Sequence, residues 1–353
     1  MAIVRLSCRY LSNFAASEAL AVKFSSRGPA DNEKKTRQPL TFNDVDIVYN
    51  PSEKLIDQFM NGYGKQRLNF KRNDIEIWRE CFQDRYRLMF TCLKSDGKII
   101  QTLHVFDFPP LNPQDRPHQF EGFLWIDKEY RGADSAAFVD YNCKKELRNV
   151  CENPVAQTMP QSVNIFNKMF GNARTGYTLN VSYYKPDEIK IPAALDLEGI
   201  TLKSAREVPD SDIVKYDNSI FPYERSRYIL KHLRDPAGFG KVAYDKNGNV
   251  IGFGALIIYP SGECVLTPLY ADSTQVAQAI FKSILQEMPL NDKKLLRFHI
   301  RSIDQCNGME WIQPFLKCTP RKDLMAYLMY TDTAPSINYS KVFVNAPYTT
   351  CAI

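Results

Sequence analysis

The sequence predicts an α/β fold built twice: two tandem domains, each a mixed, mostly antiparallel sheet with helices on both faces. Three observations carry this. Segments 88–109 (LMFTCLKSDGKIIQTLHVFDFP) and 241–260 (KVAYDKNGNVIGFGALIIYP) both read strand, turn, strand, with Asp96-Gly97 and Asn247-Gly248 at the turns. Such dipeptides between apolar runs are the strongest short hairpin signal. Each hairpin is followed by a strand that runs directly into a helix, over 119–147 and 262–288, and then by strand, short helix and strand. A hairpin joined to strand–helix units builds a sheet that helices cover on both sides.

Taken in order, the first copy opens with short helices over Glu53–Asn61 and Asp74–Phe82. After its hairpin, Ala136, Phe138, Val139 and Cys143 mark the buried face of the next helix, with Asp134 and Ser135 as N-cap candidates. A strand Val155–Met159, a short helix carrying Ile165, Phe166 and Phe170, and a final strand 177–184 complete the copy. The second copy repeats the order. Helices are expected over Asp210–Asp217 and Glu224–Arg234. The long helix has Asp272 to Thr274 at its start and Val276, Ile280, Ile284 and Leu285 on its apolar face. A strand Leu295–Ile300, a short helix Met309–Leu316 and a strand 324–330 follow. Each final strand is expected to close its own copy. The chain therefore divides into a leader and linker (1–41), a first domain (42–190), a second domain (198–331) and a tail (332–353), with Pro186 to Pro192 at the junction.

Composition narrows the function classes. With 12% aromatic and 44% apolar residues in 353, the chain has ample core, and disorder is excluded for most of it. No run approaches the ~18 apolar residues of a transmembrane helix. The net charge of +5 sits mostly in residues 1–40, where seven Lys and Arg face three acids. The nearly neutral body shows no basic stripe with interleaved aromatics, which argues against nucleic acid as a partner. Nine scattered Cys without a CxxC pair read as free thiols in a reducing compartment, and the four scattered His make no ligand spacing, so no metal is expected. Residues 1–28 place Arg5 and Arg9 on one helix face and Leu6, Tyr10 and Phe14 on another, with Glu18 the only acid. That suits a mitochondrial transit peptide, hence a matrix protein, and equally a plain basic terminus on a cytoplasmic one.

Four segments carry a family likeness: WIDKEYRGADSAAF (125–138), YERSRYIL (223–230), NVIGFGALI (249–257) and TPLYADSTQVAQAIF (267–281). On these the chain resembles the GCN5-related N-acetyltransferase (GNAT) superfamily over nearly all of 42–331. It resembles in particular a tandem form known from nematodes, an N-terminal domain of unknown function followed by a YitH/HolE-like acetyltransferase domain. The resemblance implies acetyl transfer from acetyl-CoA, as co-substrate, to a small-molecule or amino-acid-like amine acceptor, with the C-terminal domain active and the first degenerate.

The site can be sketched on physical grounds. The donor's pyrophosphate suits a strand-to-helix turn, where free N–H groups and the helix dipole favour an anion. The superfamily's turn reads Gln/Arg-x-x-Gly-x-Gly/Ala. The first copy offers Arg131 and Ala136, but Asp134 replaces the central glycine and would repel phosphate. The second copy offers Leu269, Tyr270, Ala271, Asp272, Ser273, Thr274 and Gln275, which equally describe a plainly capped helix. A base must make the amine neutral before it attacks. Glu263, with Glu121 expected at the matching place, is one candidate; each also reads as a strand end. His299 is a second candidate or a half-buried sheet histidine. The superfamily's acid is a Tyr on the last short helix; Phe166 stands there in the first copy, and Tyr330 is the nearest substitute in the second. Arg225 and Arg227 can pair with an acceptor carboxylate, or lie on an exposed helix. Asp134 and the missing Tyr favour a second class of function, a catalytically silent fold that binds a metabolite or a protein.

Overall fold

Both predicted hairpins form where the turn residues dictate. Gly97 and Gly248 adopt φ of 71° and 81°, the left-handed region glycine enters at little cost. The computed structural model describes residues 40–64, 71–130, 153–158, 160, 163–164, 167, 174–304 and 306–345. The leader, the turn and helix expected over 131–147, Phe166 and residues 346–353 lie outside the described residues.

The first half contributes β1 (Val45–Tyr49), α1 (Glu53–Phe59), α2 (Arg72–Phe82), β2 (Tyr86–Leu93), β3 (Ile99–Phe108), β4 (His118–Ile126), β5 (Pro154–Thr158) and β6 (Arg174–Tyr184). The second half contributes β7 (Thr201–Ser204), α3 (Asp210–Ile220), α4 (Ser226–Leu233), β8 (Gly238–Tyr244), β9 (Val250–Ile258), β10 (Glu263–Ala271), α5 (Thr274–Glu287), β11 (Arg297–Ile303) and β12 (Leu324–Tyr330). The tail adds β13 (Val342–Val344). The expected helix at 309–316 is a short 3₁₀ helix, Glu310–Phe315, with Pro314 inside it. Strands β1, β7 and β13 are additions to the sequence reading.

All the strands join one sheet in the order β1-β2-β3-β4-β5-β12-β6-β11-β10-β9-β8-β7, with β13 on β10. This order overturns one expectation. The final strand of each copy closes the other copy: β12 pairs with β5, Tyr330 opposite Val155, and β6 pairs with β11, Tyr183 opposite His299. The two exchanged strands also pair with each other, Leu324 opposite Val181. Nothing in a strand's own alternation forbids this, because both copies present an equivalent edge.

The helices seal the exchange. Phe82 of α2 lies 5.5 Å from Tyr228 of α4, and Phe108 lies 5.3 Å from Phe221. One apolar core runs through both halves, from Trp78 and Phe106 to Tyr216, Phe253 and Val342. Lys71 and the buried Asp235 close the seam at 2.6 Å. A second cluster lies beneath α5, built from Val276, Ile280, Phe281 and Ile284 against Leu256, Leu266 and Ile300. No helix among the described residues is long and apolar enough to cross a membrane.

Candidate functional site

Strands β10 and β11 run parallel and pair only over Glu263–Val265 with Arg297–His299; beyond that they part. The register of β10 on β9 shifts between Leu266 and Leu269, so a bulge bends β10 away from its neighbour. Glycines permit the bend: a Cβ on Gly252 would lie 2.8 Å from the Tyr270 carbonyl oxygen, and one on Gly254 would lie 2.8 Å from the Leu269 side chain. That accounts for the GFG of the family-like segment 249–257.

The resulting fork is filled by the chain's own tail. Val344 pairs with Leu269 and Val342 with Tyr270, antiparallel. The Asn345 N–H donates to the Arg301 carbonyl on β11 at 2.8 Å, so β13 bridges both prongs. Val342, Phe343, Val344 and Asn345 are buried. A donor anchored by its pyrophosphate at the 271–275 turn must run along β10 to reach Glu263 or His299. Along that path the backbone edge of β10 is already paired.

The turn itself is also occupied by protein groups. The Asp272 carboxylate accepts from the Tyr216 hydroxyl at 2.7 Å and meets the Lys341 ammonium of the tail at 2.8 Å. Burial and the acceptor Asp272 hold the Tyr216 proton firmly, well above the ordinary phenol range. Ser273 is the N-cap of α5, its Oγ accepting from the Val276 N–H at 3.3 Å. Thr274 is the first helical residue, Ala271 is buried, and Gln275 donates to the Asp196 carbonyl at 3.0 Å. The turn has a capped helix start, and its nearest charge is an acid.

The predicted catalytic residues do not converge. The buried Glu263 carboxylate accepts from Arg297 Nε at 2.7 Å. The Arg297 guanidinium lies 4.0 Å over the ring of Tyr183, and that ring is 4.9 Å from His299. Tyr183 arrives on the exchanged strand β6, so the sequence reading missed it; its position at a strand end ending in Tyr was the available signal. Burial, with Arg301 and Arg297 nearby, holds His299 neutral, well below the usual histidine range. Tyr330 is not part of this group. It pairs with Arg174 on β6 whereas His299 pairs with Tyr183, nine residues further along. At ~3.3 Å per residue that is about 30 Å. Nor does Glu121 match Glu263. Glu121 shares a face with Val105, away from α2, whereas Glu263 shares a face with Val265 and Ile257, toward α3 and α4.

Arg225 is corrected too. It is buried, pairs with Asp217 at 2.7 Å, donates to the Tyr270 hydroxyl at 3.1 Å and lies 3.9 Å over the Phe221 ring. Its charge is committed inside the protein. Burial raises the Asp217 carboxyl against the pull of that guanidinium. Arg227 is exposed on α4. Arg131 lies outside the described residues.

The first half has a fork of its own. Strand β4 pairs with β5 over Gln119–Glu121 and Pro154–Ala156, and its register on β3 shifts between Gly122 and Trp125. Among the described residues no strand fills it.

Residues 42–220 match the model of a family described as a protein of unknown function (DUF1248), and residues 213–313 match that of a GNAT acetyltransferase domain. No curated protein matches at the level of sequence. Among solved structures, a protein from Pyrococcus horikoshii proposed to be an acetyltransferase superposes with a TM-score of 0.62 at 18% identity, over 90% of this chain and 100% of that one. A tandem GNAT protein from the clavulanic acid biosynthesis pathway gives 0.57 at 10% identity, over 81% and 98%. N-myristoyltransferase of Saccharomyces cerevisiae, solved with bound myristoyl-CoA, gives 0.54 at 11% identity, over 91% and 89%. At these identities the likeness is one of fold.

Proposed function

We propose, for a chain that belongs to the DUF1248 family and carries a GNAT acetyltransferase domain over 213–313, that it is an acyl-CoA-dependent N-acyltransferase moving an acetyl group from acetyl-CoA to an amine. The carrying observation is the pair of strand forks, one filled by β13 and one that no strand among the described residues fills. An extended acyl-pantetheine arm can lie on an open strand edge as a further strand would. The bulge of β4 between Gly122 and Trp125 offers backbone N–H groups to a thioester carbonyl as charge develops on it. The sequence pointed to the C-terminal domain as the active one. The tail strand along β10 argues for the reverse, and we assign the donor to the first half. Shared fold with an N-myristoyltransferase that binds myristoyl-CoA supports acyl-CoA as the donor class.

The test is thioester turnover, read as free thiol, against amines, amino acids and peptides, with acetyl-CoA titrated calorimetrically. One acetyl-CoA per chain is expected, lost in Arg131→Ala and kept in Ser273→Ala. Binding that survives Arg131→Ala and disappears in Ser273→Ala returns the donor to the second half. A second reading, the silent binding module, is favoured by Glu263 locked to Arg297 beside a neutral His299. It replaces the first if acetyl-CoA neither binds nor turns over.

A further inference from the structure

The filled fork has the properties of a recognition site for a peptide strand. The backbone of β13 is read on both sides, by β10 through Leu269 and Tyr270 and by β11 through the Arg301 carbonyl. Asn307 adds a third reader: its Nδ2 donates to the carbonyls of Ser340 and Val342, at 3.0 Å each. These contacts grip any extended chain, as strand addition to an open edge does. Side chains then set a pattern. Val342 enters the core shared by both halves, while Phe343 and Val344 enter the core beneath α5, with Phe343 6.2 Å from Trp311. Lys341 precedes them and meets Asp272.

Those same features disfavour a cofactor. The acid at Asp272 would face a pyrophosphate if Lys341 left, and Ser273 already caps the helix N-terminus.

We propose that the fork between β10 and β11 is a peptide-strand site, whose ligand is an extended segment of basic–Val–Phe–Val–Asn chemistry supplied by the chain's own tail, and that acyl-CoA does not enter it. The proposal rests on the acyl-CoA reading only in naming what is kept out.

A protease site inserted after the exposed Ala334 lets the tail be cut after the full chain has folded. The cut tail is removed by gel filtration in mild urea, the protein is returned to buffer and incubated with a fluorescent peptide of residues 337–345, and acetyl-CoA is titrated in parallel. The expected result is saturable binding of the peptide, at least tenfold weaker binding of its Phe343→Asp form, and no second equivalent of acetyl-CoA. Absence of saturable peptide binding overturns the proposal. So does uptake of a second acetyl-CoA after cleavage, which would make β13 a plug in a cofactor groove. If no acetyl-CoA binds at all while the peptide binds, the acyltransferase reading fails and the strand site stands.

Discussion

The Arg225 guanidinium meets the Asp217 carboxylate at 2.7 Å, with neither side chain exposed to solvent. Removing one partner strands the other as a buried charge. Arg225→Ala or Asp217→Asn is expected to cost about 3–5 kcal/mol, read from urea unfolding. The double change Arg225→Met with Asp217→Leu should cost much less, because it removes both charges together. If the single changes leave stability intact and instead weaken acceptor binding, Arg225 is a substrate residue after all.

Glu263 tests whether the second half does chemistry. A general base contributes roughly 10²–10⁴-fold. With its carboxylate held by Arg297 and the donor assigned to the first half, Glu263→Gln should leave turnover within about twofold and the pH–rate profile unmoved. A hundredfold fall in kcat would place the reaction at β10.

The tail strand should matter to stability in proportion to what it buries. Phe343 packs into the core beneath α5, so Phe343→Ala is expected to cost about 3–5 kcal/mol. Lys341 and Asp272 are part-exposed, so Lys341→Ala should cost under about 1 kcal/mol. Equal losses from the two changes would mean that charge, not burial, holds the tail.

All four histidines are buried. Burial pushes His104 and His118 down to about 3 and His232 down to about 4, and holds His299 well below its ordinary value. Below about pH 6.5 the unfolded chain gains protons that the folded chain refuses, so stability falls as pH falls. Asp74 works the other way, and so does Asp217, whose carboxyl is also raised by burial. Burial raises Asp74 to about 7, so from pH 7 down to about 4 its folded form holds one proton more. The net of four against at most two is about two to three protons, or roughly 3–4 kcal/mol per pH unit at the steepest. The urea midpoint should be steady above pH 7.5 and drop sharply below 6, with a shallower drop in His118→Phe. A flat midpoint from pH 7 to 5 would contradict this.

Much of the fold was legible because local chemistry dictates it. Asp96-Gly97 and Asn247-Gly248 permit little but tight turns, and the 3.6-residue spacing of Val276, Ile280 and Ile284 permits little but a helix. The strand exchange was not legible, since the alternation of β6 and β12 fits either edge, and the pairings that decide it join strands more than a hundred residues apart. The site was less legible still. Arg225 and Asp217 lie on separate elements, and no periodicity shows that they meet. Strand β13 left a trace, the β-branched and aromatic run Val342-Phe343-Val344, but its partner edge exists only because β10 bulges.

The exchange of β6 and β12 also orders events in time. During synthesis the first half emerges complete through β6, yet its sheet cannot close, because the strand that lies beside β5 is residues 324–330. Until nearly the whole chain is made, β5 presents an unpaired edge, and β6 waits for a neighbour that follows it by more than a hundred residues. Contacts of such long sequence separation form slowly and leave edges open to wrong partners. Nascent chains stalled before residue 324 should therefore depend on chaperones, and neither half cut out at the junction is expected to stay soluble by itself.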